Sequence, residues 1–518
     1  IAVTGKTTID VILKSDVTGL QQVVVVGYGT QKKKDVTGAI SSVSGEEVAR
    51  MPAVSPLASL QGKVAGLTVV NSGGAGSQPV IRIRGIASTN NANPLYVVDG
   101  FIVNSIKDVP PSDIESINVL KDAAATAIYG AQASNGVVVI TTKRPKAGRT
   151  TVSYNGFMQL KTLPSDRAYK VLSPYEYVLV NYERAKLRST TDVNNMEKFF
   201  GKYGDYDLYK DKKGTNWQDE LFGAPRTTQS HNVSISGGTE LTTFSLSLTN
   251  NTDQGLLTGS GYNRNVINFK LNQNISKKLK FDASARITNT VIDGAGTSGS
   301  AQLNIKDAVQ TRPTNGIADE LDIDLSTAGS DDDFASFLLA LVNPKKLVAQ
   351  DWRKRTTQDY VLNAGLSWSI VKGLDFKTTL TSSKSYDKVL RYYGPLTGES
   401  FNNGSSLPIG EKTNFETNSL RWLNTLNYQM KGLGAHKLDF LLGHEVYSTG
   451  GNTSFLRGED FRASITPEEL FANMSFGRTD RQYTTENTDQ NRVSGFGRIN
   501  YQFKDRYLAA LTFRADAS

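Results

Sequence analysis

Cysteine is absent from all 518 residues, so neither a disulfide nor a thiolate metal site is available to this chain. Histidine is scarce. His231, His436 and His444 are the three present, and His444-Glu445 is followed by Val446 and Tyr447 with no second histidine, which excludes the zinc-protease helix signature. No apolar run approaches the roughly 20 residues that a membrane-spanning helix needs. Mean hydropathy is −0.34, which reads as soluble. A transmembrane barrel gives the same value, because its strands alternate lipid-facing with lumen-facing side chains. Neither sign of charge dominates: 58 basic residues are interspersed with 50 acidic ones, for a net charge of +8. The longest basic run, Lys32-Lys33-Lys34, suits a solvated loop, and a nucleic-acid footprint should instead cluster on one face. No nucleic-acid partner is expected.

Catalytic and cofactor signatures are also missing. No Ser-His-Asp, Cys-His or paired-carboxylate arrangement stands out, so the expectation is that the chain is not an enzyme. Gly73-Gly74-Ala75-Gly76 with Ser77 superficially suggests a phosphate cradle, but no Gly-Lys-Ser/Thr follows. The acidic stretch Asp319-Glu320, Asp322, Asp324 and Asp331-Asp332-Asp333 could offer oxygen ligands to calcium, yet its spacing matches no EF-hand loop. No cofactor and no metal are expected. No signal peptide is visible, but the chain opens at Ile1 inside what reads as a strand, so nothing about destination follows.

What is present divides into regions of different texture. Residues 1–20 read as the last strands of a small β-sandwich. Residues 21–35 hold Val23-Val24-Val25-Val26 bounded by Gly27, a β-prone run whose plain reading is a buried strand. Residues 36–146 read as a compact mixed α/β unit of short elements. There Ser55-Pro56 starts a short helix through Leu60, and strands are expected at Gly66–Val70, Val80–Ile86, Leu95–Val98, Ile114–Leu120 and Gly136–Lys143. Asp99-Gly100 signals a turn, and Asp122 caps a helix over Ala123–Tyr129 that Gly130 ends.

From about residue 147 to 518 long alternating strands take over. Phe244, Leu246 and Leu248 alternate with Ser and Thr; so do Ile267, Phe269 and Leu271, and later Leu420, Trp422, Leu426 and Tyr428. Each stretch runs for about ten to fifteen residues, enough to cross a bilayer at a tilt. Short turns such as Ser276-Lys277-Lys278 and Lys372-Gly373 alternate with long polar connections at about 162–228 and 292–357, the asymmetry of outer-membrane barrels. About eleven strands can be counted, whereas bacterial barrels close with an even number and lipid tolerates no open edge. A longer functional polypeptide is therefore expected. Alternation alone also fits a soluble β-rich glycan-binding protein, and a porin or adhesin would share the barrel.

Several motifs in fixed order carry a resemblance. Val23–Gly29 with Thr30-Gln31-Lys32-Lys33, then Leu60-Gln-Gly-Lys-Val-Ala-Gly-Leu67, Ile81-Arg-Ile-Arg-Gly85, Pro94-Leu-Tyr-Val-Val-Asp-Gly100, Ile114–Asp122 and Ile128–Lys143 together resemble the SusC/RagA family of TonB-dependent outer-membrane transporters. The resemblance is specific over about residues 20–146 and general beyond. It implies an all-β transmembrane barrel, incomplete here and of about 22 strands in the full protein, with the mixed α/β unit as a plug inside its lumen. It implies a TonB box at Gln22, Val23, Val24, Val25, Val26, Gly27 and Tyr28, pairing as an added strand with TonB, which works with ExbB and ExbD. It implies active import of a glycan, oligosaccharide or peptide across the bacterial outer membrane with a SusD-like lipoprotein; a siderophore or cofactor receptor uses the same logic. By position, Arg82, Arg84, Glu115 and Lys121 are candidates to latch the plug to the wall. Gly85, Gly100, Gly130 and Gly136 are the expected tight-turn glycines.

Overall fold

The computed structural model describes residues 23–26, 29–32, 39–70, 74–76, 78–85, 92–103, 105–164, 166, 168–294, 305–316, 344–403, 405–430, 434–504 and 506–518. The residues read as the end of a β-sandwich, 1–20, and the acidic stretch around Asp319–Asp333 lie outside them.

Strand β1 (Val23–Val26) pairs antiparallel with β2 (Gly29–Lys32) as an isolated hairpin. A small mixed unit follows. Strands β3 (Ile40–Ser44), β4 (Leu67–Val70), β5 (Val80–Ile83), β6 (Leu95–Val98), β7 (Phe101–Val103), β8 (Ile114–Leu120) and β9 (Val137–Thr142) build it. Five of them form one sheet in the order β3-β8-β9-β6-β7, and β4 pairs with β5 separately. Its core is aliphatic, with Leu60, Ile81, Ile114, Ile117, Val138 and Ile140 fully buried. The β-branched density at β8 and β9 explains this: both faces of the central strands are covered, so the hydrophobic run is continuous rather than alternating.

Three expectations need correction. The Ser55–Leu60 segment makes only a 3-10 turn at Ala58–Leu60. The strand expected over Val80–Ile86 stops at Ile83, because Arg84 and Gly85 take φ of 55° and 99° and leave extended geometry. The helix over Ala123–Tyr129 is α only to Thr126 and continues as a 3-10 turn through Tyr129. Asp122 does cap it, accepting from the Ala125 backbone N–H at 2.8 Å.

The rest of the chain is one antiparallel sheet of eleven strands in strict sequence order. These are β10 (Gly148–Lys161), β11 (Arg226–Gly238), β12 (Thr242–Gln254), β13 (Gly261–Asn274), β14 (Leu279–Asp293) and β15 (Asp351–Val371). Then come β16 (Leu374–Tyr393), β17 (Ile409–Met430), β18 (His436–Glu459), β19 (Arg478–Phe503) and β20 (Tyr507–Ala517). The outer strands β10 and β20 each pair on one side only among the described residues, so this sheet is a barrel wall that does not close within the chain. No described helix is long and apolar enough to cross a membrane.

The wall has two chemically distinct faces, set by the period-2 alternation of its strands. One cross-strand rung runs Tyr154–Val233–Leu248–Ile267–Ile287–Tyr360, residue opposite residue, and all six are exposed. Such a contiguous apolar belt would be an aggregation surface in water and is the expected lipid contact of a barrel. The other face meets the mixed unit, which the wall wraps as a plug.

The long connection at 162–225 is not plain loop. It folds into helices Pro174–Arg188, Thr190–Phe200 and Trp217–Phe222. The first two pack around buried Val178, Met196, Phe200, Tyr206 and Tyr209, and the third packs its Leu221 with Leu257 and Ala308. The first helix starts in a reciprocal capping box between Ser173 and Glu176.

Candidate functional site

Four groups of residues from both sides, each built around a charge, tie the plug to the wall, besides a single hydrogen bond from Arg264 to the Val54 carbonyl. Asp113 sits where a 3-10 turn begun by Pro111 enters β8, so its carboxylate projects from the plug rim and is buried. Three neutral donors on neighbouring strands meet it: Ser247 Oγ at 2.7 Å, and Asn232 Nδ2 and Asn268 Nδ2 each at 3.4 Å. A buried carboxylate without these hydrogen bonds would be strongly unfavourable.

Asp99 holds the tight turn between β6 and β7 at φ 51°, followed by Gly100 at φ 90°. It accepts from the Thr142 backbone N–H at 2.8 Å and from the wall's Lys270 Nζ at 3.2 Å. Lys270 also donates to the Thr142 hydroxyl and to the Lys143 carbonyl. Burial pushes the Asp99 carboxyl up, but the Lys270 ammonium and the Thr142 hydrogen bonds outweigh it and hold it below the usual carboxylate range. Lys107 reaches Asp359 of β15 at 3.8 Å. Its neighbour Asp108 is raised by burial, which Lys107 partly offsets and Asp359 reinforces.

The fourth tie lies on β17 to β20. Glu445, fully buried, faces Arg421 at 2.8 Å, Arg492 at 3.3 Å and Arg514 at 3.7 Å. Arg514 donates to the Ile128 carbonyl of the plug at 3.0 Å, and Arg492 to Gln132 Oε1 at 3.3 Å. Gly130, between them, takes φ 77°, and a Cβ there would come within 2.7 Å of Asp516. Around this cluster Leu423, Leu441 and Phe496 of the wall join Ile128, Tyr129 and Val139 of the plug in one apolar core.

Above these ties, at the long-loop end of the wall, a cavity of about 250 Å³ separates plug from wall. Val54, Gly76 and Gln78 line it from the plug; Gln159, Asp253 and Tyr262 line it from the wall. Lys161 and Asp253 form an ion pair there, and Arg264 donates to the Val54 carbonyl at 3.3 Å. Gly76 abuts the Tyr262 ring, where any Cβ would lie 2.4 Å from Cδ2. Higher still, Arg457 on β18 is surrounded by Glu399, Glu411, Glu459 and Asp480 within 3.4 Å.

The four residues expected as latches are not the ones that carry these ties among the described residues. Arg82 donates to Asn93 Oδ1 at 2.8 Å and to the Ile81 carbonyl, both within the plug. Lys121 donates to Ser41 Oγ and the Ala65 carbonyl, with Arg84 near enough to lower its pKa in addition to burial. Glu115 is exposed on β8. Arg82 and Lys121 spend their charge locally, whereas the ties come from Asp99, Asp113 and Lys107, at turns and strand ends. The glycines expected at tight turns all have positive φ: 99° at Gly85, 90° at Gly100, 77° at Gly130 and 88° at Gly136. Of the residues expected as a TonB box, Val23–Val26 form β1, while Gln22, Gly27 and Tyr28 lie outside the described residues.

A small mixed plug seated in an antiparallel wall with a lipid-type outer face defines the class: this is a TonB-dependent receptor. The family model described as TonB-dependent Receptor Plug Domain matches residues 32–137. Within that class the chain belongs to the SusC/RagA family. It is 31% identical over 543 residues to the TonB-dependent receptor SusC of Bacteroides thetaiotaomicron, covering 98% of this chain and 50% of that protein. It is 30% identical over 536 residues to the TonB-dependent receptor P3 of Formosa agariphila, covering 100% of this chain and 49% of the relative. The chain thus spans about half the length of the curated relatives it matches. Among solved structures, the RagAB peptide importer in its open-open state superposes with a TM-score of 0.76 at 22% identity, over 96% of this chain and 56% of that one. The unliganded ferric citrate transporter FecA shares the fold more distantly, at a TM-score of 0.54 and 11% identity over 93% of this chain and 60% of that one.

Proposed function

We propose that the protein containing this chain is an active importer of the bacterial outer membrane. It would take up an oligosaccharide or a peptide too large for passive diffusion. The observation that carries this reading is a plug joined to the wall by discrete polar ties, with apolar contact concentrated beside the Glu445 cluster. Each tie is a set of hydrogen bonds or ion pairs that water or a competing charge can replace, so the plug is secure at rest and separable under load. The valine strand β1 would supply the load point, adding its free edge to a sheet of TonB, itself powered through ExbB and ExbD. The plug and this hairpin would face the periplasm. The cavity between plug and wall at the long-loop end would receive cargo, and a SusD-like lipoprotein would close over that end. The similarity to SusC and to the RagAB peptide importer supports this class of cargo. A passive pore needs neither the plug nor its ties.

The test fixes the plug in place. Asp113 and Ser247 are short side chains in direct contact, and the chain contributes no cysteine of its own. In the full-length protein, Asp113→Cys with Ser247→Cys, joined by a short bifunctional thiol reagent, should stop uptake and leave cargo binding at the cell surface intact. Uptake at the untreated rate after complete cross-linking would contradict a moving plug.

A further inference from the structure

The lumenal face of the wall carries aromatic rings that the plug does not cover. Two successive inward rungs cross β15 to β19. One runs Thr357–Asp387–Phe415–Thr453–Thr485, and the next, nearer the long-loop end, Arg355–Val389–Thr413–Phe455–Tyr483. Their direction follows from alternation. On β17 and β18 they share the parity of Arg421, Leu423 and Glu445, which belong to the plug-facing cluster, while exposed Leu420 and Trp422 of the outer belt take the other. On β19 the register shift opposite Thr449 and Gly451 inserts one residue, which keeps Tyr483 opposite Phe455. Phe415 lies six residues beyond Arg421, about 14 Å further towards the long-loop end on a strand tilted by about 45°.

This strip is neutral. Its two charges, Asp387 and Arg355, are joined to each other by paired hydrogen bonds at 2.9 and 2.5 Å. Charge frames it instead: Glu411 with Arg457 on the rung above, and Asp359 with the plug's Lys107 on the rung below. Between them stand three aromatic rings among threonine hydroxyls. Phe415 is 40% exposed although its strand is paired along both edges. Phe455 and Tyr483 stack on each other at 5.2 Å with their planes 24° apart. Phe415 and Phe455 are diagonal neighbours on adjacent strands, about 7–8 Å apart, so one short oligomer can touch both.

Charge and pairing select the occupant. An anionic iron chelate finds no unpaired cation in these two rungs. An extended peptide binds by adding its main chain to an open strand edge, or by placing its charged ends against opposite charges. Along this stretch β16, β17 and β18 are each paired on both sides, and the strip's own charges cancel. A neutral sugar needs neither. The C–H face of a pyranose packs on an aromatic ring, and its hydroxyls exchange hydrogen bonds with threonine side chains, which both donate and accept.

We propose that this strip is a lumenal binding site for a neutral oligosaccharide, its sugars stacked on Phe415 and on the Phe455–Tyr483 pair, so that the cargo is a glycan rather than a peptide or an iron chelate. The inference deepens the import reading above and rests on it. The test uses the purified full-length protein in detergent, with an array of neutral and charged oligosaccharides and a pool of random decapeptides as probes. At least one neutral glycan should bind the parent, and bind Phe415→Ala/Phe455→Ala about tenfold more weakly. Phe415→Trp should keep that affinity, and its added emission should shift with glycan beyond any change in the parent. Heat-modifiable mobility should be the same in all three; if the alanine variant loses its fold, the tryptophan variant alone decides. Binding of peptides but of no neutral glycan would overturn the site. So would an unweakened alanine variant that keeps its fold, or an introduced tryptophan whose emission glycan leaves unchanged. Each of these leaves energy-dependent uptake and its arrest by the plug cross-link as they were, so the two readings fail separately.

Discussion

Removing the carboxylate of Glu445 should do more damage than removing any other single charge of the wall. Glu445 is 0% exposed, and two of its three partners, Arg421 and Arg514, are 5% and 3% exposed. Arg514 also pairs with Asp516 at 2.8 Å. Three guanidinium groups thus face two carboxylates, with one positive charge in excess; Glu445→Ala doubles that excess without admitting water. Leaving buried charge unpaired in this way costs about 3–5 kcal/mol. Replacing one arginine as well restores the original balance, so Arg421→Met/Glu445→Leu should recover more than half of the loss. The assay is urea unfolding of the full-length protein in detergent, followed by heat-modifiable gel mobility. Because Arg514 and Arg492 hold Ile128 and Gln132, the single variant should also expose the plug segment 128–132 to protease before the wall unfolds. A single-variant cost below about 1 kcal/mol, or a double variant no better than the single, would refute the charge-balance argument.

The tie at Asp99 gives a pH window. Its folded-state carboxyl is held low by Lys270 and Thr142 against burial, so its contribution is complete above the unfolded value near about 4 and is lost as pH falls through the lower folded value. Protease protection of the plug should therefore be level from about pH 7 to 5 and weaken only below about pH 4; loosening already between the first two would contradict it. Asp108 has the opposite sign. Burial raises it, and Oδ1 lacks a hydrogen-bond partner among the described residues, so its ionised form opposes folding above the unfolded pKa. Asp108→Asn should stabilise the plug by about 1 kcal/mol at neutral pH, with the gain vanishing below about pH 4, as read by the same urea titration.

The plug and the strand alternation were legible because both are local signals. Four valines followed by a glycine, Asp99-Gly100 at a turn and Leu/Phe/Ile at every second position each state their geometry within a few residues. The ties were not legible. Lys270 and Asp99 are 171 positions apart, and Ser247 and Asp113 are 134 apart, so nothing near either residue announces its partner. Arg82 and Lys121 drew attention as charges on plug strands, but long side chains on short strands found Asn93, Ser41 and a backbone carbonyl first. The helices of the 162–225 connection were readable in principle: Ser173-Pro174 with Glu176 is a helix start with a mechanism. Polar composition masked it, because these helices bury tyrosines against one another more than aliphatic side chains.

The import account stands or falls on coupling through β1. In the full-length protein, deletion of Val23–Gly27 removes the strand offered to TonB and leaves every plug–wall tie in place. Cells carrying the deletion should bind cargo at their surface as the parent does and show no energy-dependent uptake. Uptake continuing at the parental rate would contradict the account at its centre.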